Sequence, residues 1–184
     1  MSPRSFLALD FETADIRAES ACAIGLVKVT DHRIVGREHF LIKPPSGKSG
    51  QRSKKPDFMF TYIHGITRAH VAAQPCFGEL WPKVAGYFED IDFVAAHNAS
   101  FDRRVLLACC DQYGITPPKV PFLCTVQLAR ATWEIYPTKL PNVCEHLGIE
   151  LKHHEALSDA EACARIVIHA HKKAEAPAFP MPPQ

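Results

Sequence analysis

The sequence predicts an α/β fold in which a mixed five-stranded sheet is flanked by helices. Two observations carry this. Apolar, β-branched runs crowd the first 42 residues and read as neighbouring strands joined by a tight turn. Beyond residue 77, short apolar strands alternate with stretches whose apolar residues recur at helical spacing, so strands come first and then helices and strands in turn.

Phe6-Leu7-Ala8-Leu9 reads as a short buried strand that ends at Asp10. Residues 21–29 are nearly all apolar and read as a central strand. Asp31-His32 is a turn, and residues 34–42 form the returning strand. A polar, basic loop follows over residues 43–57. Phe77, Leu80, Trp81, Val84 and Phe88 make a helical stripe, which Pro82 should kink or restart. Residues 93–96 are a short strand. Ser100 is placed to cap a helix that runs to Tyr113, with Gly114 as its stop. Residues 122–124 are the fifth strand, and Thr125 is placed to cap the helix after it. A short helix over 142–147 stops at Gly148, and the last helix covers 158–173. Residues 176–184 hold four prolines and read as a disordered tail, which leaves 1–175 as one domain.

The 184 residues suit one domain, and 47% hydrophobic with 22% charged residues is ordinary for a globular chain. No apolar run approaches the ~20 residues of a membrane helix, so no membrane partner is expected. A cleaved leader would remove the first acidic motif, so a cytoplasmic location is expected. The seven cysteines include no CxxC repeat, which argues against cysteine-held zinc and for reduced thiols in the core. A net charge of +1 supplies no global field for polyanions, so any nucleic-acid contact needs a local patch. Lys48, Arg52, Lys54 and Lys55 are the one dense basic run.

Asp10 and Glu12 lie two apart on a strand and so share a face. With 20 acidic residues in 184, chance supplies roughly two such pairs, and a solvent-facing strand end is the plain alternative. The apolar run before Asp10 instead aims the pair at the end of a buried strand, where ligands bind in open α/β sheets. Asp102 heads a helical row with Val105, Leu106, Cys109 and Tyr113. Asp159 repeats the pattern with Cys163, Ile166, Val167 and Ala170. Each aspartate is either an exposed first-turn acid or an inward carboxylate that needs a partner. One shared cation site explains all four acids, and hard divalent cations prefer such oxygen donors. His154 precedes Asp159 by five residues, roughly 140° around a continuous helix, so it belongs in the segment entering the helix. An imidazole there suits a general base at neutral pH. His153 is an equal candidate by position.

These motifs resemble a family. Leu9-Asp10-Phe11-Glu12-Thr13-Ala14, then Ala96-His97-Asn98-Ala99-Ser100-Phe101-Asp102, then His154-Glu155-Ala156-Leu157-Ser158-Asp159-Ala160 stand in the order of the DEDD 3′→5′ exonucleases, in their histidine-bearing DEDDh subgroup. Ile63-His64-Gly65-Ile66-Thr67 matches a further segment, and the resemblance covers roughly residues 5–172. Asp15 departs from it, because many members carry glycine there.

The resemblance implies a ribonuclease H-like fold and two Mg²⁺ or Mn²⁺ ions held by Asp10, Glu12, Asp102 and Asp159. It implies that Asp10 touches both ions, that Glu12 and Asp159 complete one and that Asp102 serves the other. Its spacing selects His154 over His153 as the base. Its substrate would be nucleic acid with a free 3′ end, single-stranded DNA first, in DNA repair or proofreading, and its product a nucleoside 5′-monophosphate. Thr13 would meet the terminal 3′-OH, Phe11, Ile63, His64 and Phe101 would wall the last nucleoside, and Asn98 would join the substrate-binding set. Core packing is the alternative for Phe11 and Phe101. An RNA-trimming exoribonuclease and an inactive nucleic-acid-binding domain are the competing functions.

Overall fold

The protein is seen here as a computed structural model, which describes residues 5–46 and 57–175. The basic run Lys48, Arg52, Lys54 and Lys55 and the proline-rich tail 176–184 lie outside the described residues.

Three antiparallel strands open the chain: β1 (Ser5–Thr13), β2 (Ala21–Thr30) and β3 (Arg33–Leu41). The β2–β3 connection is the two-residue turn Asp31-His32, with φ of 47° and 62°. Positive φ at both centres matches the right-handed twist of the flanking strands. Two short helices follow, α1 (Thr61–His64) and α2 (Arg68–Val71), and then α3 (Phe77–Ala85), which runs through Pro82 into a 3₁₀ turn. Next come β4 (Phe93–Ala96), α4 (Ala99–Gln112), β5 (Phe122–Cys124), α5 (Thr125–Trp133), α6 (Leu140–Leu147) and α7 (Ala156–Glu175). The sheet order is β3-β2-β1-β4-β5, antiparallel on one side of β1 and parallel on the other.

Side chains alternate along β1, so it feeds two cores. Phe6 and Ala8 face α5, α6 and α7, while Leu7, Leu9 and Phe11 face α3 and α4. β2 is buried along nearly its whole length because helices or loops cover both faces, which explains its unbroken apolar run. β4 pairs with β1 only as far as Ala8↔Ala95, yet β1 continues to Thr13. The strands therefore part at the carboxyl end of β1, and a crevice opens where the sheet changes from antiparallel to parallel. A bulge between Glu12 and Thr13 adds a local bend at that end.

Two expected caps differ in detail. Asn98, not Ser100, precedes α4, in the left-handed conformation (φ 68°), and Ser100 lies inside the helix. β4 reverses into α4 over two residues, and Asn tolerates the left-handed turn that this requires. Thr125 is the first residue of α5 rather than its cap. Its hydroxyl turns inward to His97 and the Ala96 carbonyl, so it joins two elements instead of closing one. The helices α6 and α7 each begin two residues before their predicted starts. Among the described residues, no helix is long and apolar enough to cross a membrane.

Candidate active site

β1 places Asp10 and Glu12 on the face opposite Phe11, toward α7. Asp159, in the first turn of α7, meets them there. Carboxylate oxygens of Asp10, Glu12 and Asp159 lie within 4.8 Å of one another. The approach depends on Gly25, which pairs with Asp10 across β1–β2. A Cβ on Gly25 would overlap the Ala156 carbonyl, so only glycine lets the start of α7 sit this close to the sheet. Gly25 carried no signal in the sequence, because its need arises from a helix 131 positions away.

Asp102 reaches the same end of β1 from α4. It is 1% exposed, and its Oδ1 accepts the Phe11 N–H at 3.0 Å. That amide is free because β4 has already diverged from β1. Asp102 thus lies buried at the strand end, close enough for its charge to act on Asp10, without lining the cleft.

Burial and mutual repulsion mark these acids. Desolvation, then the charges of Asp102, Asp159 and Glu12, hold the Asp10 carboxyl well above its ordinary range. Burial first and then Asp159 push Glu12 up to about 8. Burial also pushes Asp102 up to about 8, against the lowering effect of the Phe11 amide. Asp159 is raised by burial, although hydrogen bonds from His154 and His153 oppose the shift. Among the described residues no ion pair involves Asp10, Glu12 or Asp102. Asp159 is 3% exposed, and its Oδ1 is buried with no hydrogen-bond partner. A buried lone carboxylate oxygen beside two further acids is a costly arrangement unless a cation completes it. The oxygen-only donor set therefore fits hard divalent cations.

His153 and His154 lie in the turn that enters α7, as the spacing required. His154 has φ 68°, and its backbone N–H donates to Asp159 Oδ2 at 3.1 Å. His153 Nδ1 binds the same oxygen at 3.0 Å, and the two rings stack with centroids 3.8 Å apart. Burial, then the neighbouring His153, lowers the His154 pKa from its ordinary value.

A cleft of about 540 Å³ opens over these groups. Asp10, Glu12, Asp159, His153 and His154 line it, with Thr13, Phe11, Ile63, His64, Asn98 and Phe101. Asp102 is the one predicted site residue absent from the lining. Phe11 contributes an edge only, since it is 2% exposed and packs on Phe77 in the core. His64 is fixed as a neutral imidazole: the Ile66 N–H donates to Nδ1, and Nε2–H donates to the Thr13 carbonyl at 3.1 Å. Asp15, where many family members carry glycine, is not in the left-handed region, and its carboxylate pairs with Arg17 while its N–H donates to the Ser20 hydroxyl.

Several lining residues gave no separate signal. Phe60, Val126 and Leu140 add apolar wall, Thr138 a buried polar group, and exposed Lys139 a charge at the rim. His97 stands in a quoted motif, but its part emerges only on folding. Its Nε2 donates to the Thr138 carbonyl at 3.0 Å, and Nδ1 meets the Thr125 hydroxyl at 2.9 Å. It joins β4, α5 and the loop before α6, and burial holds its pKa down to about 4.

A family model described as "RNase_T: Exonuclease" matches residues 7–167. The chain is similar to a PolC-type DNA polymerase III of Thermotoga petrophila, at 32% identity over 89% of this chain and 12% of that protein. It is similar to exodeoxyribonuclease 10 of Escherichia coli K12, at 33% identity over 87% of this chain and 66% of that protein. The chain thus spans under two thirds of the length of these relatives. A solved structure of exonuclease X with 5′ overhanging duplex DNA superposes with a TM-score of 0.70 at 25% identity, covering 94% and 95% of the two chains. The nuclease domain of 3′hExo, a DEDDh family member bound to rAMP, gives 0.76 at 16% identity over 93% of each. The fold is ribonuclease H-like, its structural neighbours are exonucleases, and the chain belongs to the RNase_T exonuclease family.

Proposed function

We propose that this chain is a 3′→5′ exonuclease that removes nucleotides from the 3′ end of single-stranded DNA and releases nucleoside 5′-monophosphates. The observation that carries the reading is the convergence of Asp10, Glu12 and Asp159 in the cleft, with Asp102 buried against the same strand end. The similarity to an exodeoxyribonuclease supports DNA as the substrate.

Asp10, Glu12, Asp102 and Asp159 would hold two divalent ions, Mg²⁺ or Mn²⁺. When bound, such ions lower the pKa of water and stabilise charge on the attacking and leaving oxygens of a phosphodiester. His154 takes the proton from the attacking water. Its lowered pKa keeps the imidazole neutral at physiological pH, the form a base needs. Asp159 Oδ2 is held by the His153 ring and the His154 amide, so this carboxylate cannot turn away. Thr13 and Asn98 orient the terminal sugar, and Ile63, His64, Phe101 and the edge of Phe11 wall its base. Apolar walls accept any base, as a sequence-independent nuclease requires. Lys139 brings positive charge to the rim, where the next phosphate would pass. DNA repair or proofreading in the cytoplasm is the setting we attach to this activity.

The test is a degradation assay on 5′-labelled single-stranded DNA, duplex DNA and RNA with Mg²⁺ or Mn²⁺. Single-stranded DNA should shorten stepwise from its 3′ end, and excess chelator should stop it. Internal cuts or chelator-insensitive cleavage would overturn the reading, and faster loss of RNA would move it to an exoribonuclease.

A further inference from the structure

We propose that His153, His154 and Asp159 form a second, overlapping site for one imidazole-seeking transition-metal ion, Zn²⁺ above all. The three donors, two imidazoles and one carboxylate, lie within 4.8 Å of one another. Two imidazoles and an acid with an open fourth position are a zinc ligand set, whereas Mg²⁺ is poorly served by nitrogen. The geometry is close to assembled. His153 Nδ1 already sits 3.0 Å from Asp159 Oδ2, and the His154 ring is stacked on His153 at 3.8 Å. A metal ion would replace that one hydrogen bond by two metal bonds and draw in the second ring by rotation. Asp159 is placed to serve both clusters: it is 97% buried and lines the cleft, its Oδ2 meets the His153 ring, and its Oδ1 is unpartnered beside Asp10 and Glu12.

The site shares Asp159 with the carboxylate cluster and takes His154 as a ligand. A bound Zn²⁺ therefore removes the base and diverts one acid, so hydrolysis switches off. That consequence alone rests on the exonuclease reading; the binding does not.

The test is calorimetric titration of ZnCl₂ into the full chain in excess Mg²⁺, beside His153→Phe. Phenylalanine keeps a flat ring to stack on His154 and deletes both donors. Wild type should bind one Zn²⁺ tightly. The variant should lose at least the roughly 10- to 100-fold in affinity that removal of even a supporting partner costs. Co²⁺ added to the unmutated protein reads the same site whatever the variant's folding, and should give visible d–d bands without a thiolate charge-transfer band. Equal Zn²⁺ affinity in both proteins, or a thiolate band, overturns the proposal. In Mg²⁺-driven hydrolysis, the ratio of rates with and without Zn²⁺ should fall in wild type and stay near one in the variant. Tight, His153-dependent binding with no hydrolysis in any metal would keep the site and sink the exonuclease reading. Hydrolysis without such binding would do the reverse.

Discussion

Two adjacent histidines share one carboxylate oxygen in this site, and they do so differently. His153 binds Asp159 Oδ2 through its ring, whereas His154 does so through its backbone and leaves its own ring to the cleft. The ring of His154 is thus the freer of the two to take a proton. His154→Ala should lower kcat by about 10²–10⁴-fold, the usual worth of a positioned base. His153→Ala should cost less, and equal losses in steady-state kinetics would undo the assignment. With saturating Mn²⁺ to keep the carboxylates ionised, the acid limb of kcat/KM should fall below the ordinary 6.5 of imidazole and vanish in His154→Ala, because burial lowers the His154 pKa. Much of this residue scale was legible. The row of Asp102 with Val105, Leu106 and Cys109 made an inward acid one of two readings, because helical periodicity is a local property, and the buried Asp102 settles it. His97 was not legible in the same way, since its partners Thr125 and Thr138 reach it only through folding.

At the scale of elements, the site depends on how closely α7 approaches β2. Gly25→Ala would drive a Cβ into the Ala156 backbone, which no rotamer can relieve. Overpacking of this kind costs roughly 1–3 kcal/mol. The variant should melt lower and also lose activity, because Asp159 rides three residues beyond Ala156. A urea melt and an assay at a temperature where the variant stays folded separate the two losses; an unperturbed melt would contradict the close approach. The strands were readable because burial on both faces leaves apolar runs, as in β2. The helices α1 and α2 were not, because four residues show no period. The caps at Ser100 and Thr125 were misplaced because a hydroxyl near a helix start has several partners to choose from: Thr125 turns to the tertiary Ala96 carbonyl, and Ser100 bonds the neighbouring Asn98 side chain from inside the first turn.

Across the whole molecule, the carboxyl cluster sets how stability responds to pH. Glu12 rises from 4.5 to about 8 in the folded chain, and Asp102 from 3.8 to about 8. Between those limits the native state keeps protons that the unfolded chain has shed, so stability falls as pH rises. His97, lowered to about 4, acts the other way between about 4 and 6.5, since there the unfolded chain holds the extra proton. By about pH 7 that opposing effect is spent. Without divalent cations, the melting temperature should therefore drop between pH 7 and about 8. Saturating Mn²⁺ should offset the drop, because an ion bound only by the native state stabilises it. A flat or rising curve in the cation-free protein would contradict the buried cluster.

The central claim is that acids from β1, α4 and α7 together form a seat for divalent cations. Calorimetric titration of Mn²⁺ into the wild-type chain and into Asp10→Asn measures this directly. Wild type should take up Mn²⁺, and Asp10→Asn should lose that uptake while melting cooperatively, since the substitution removes a charge from a repelling group. Absence of Mn²⁺ binding in wild type, or equal binding in both proteins, would contradict the account.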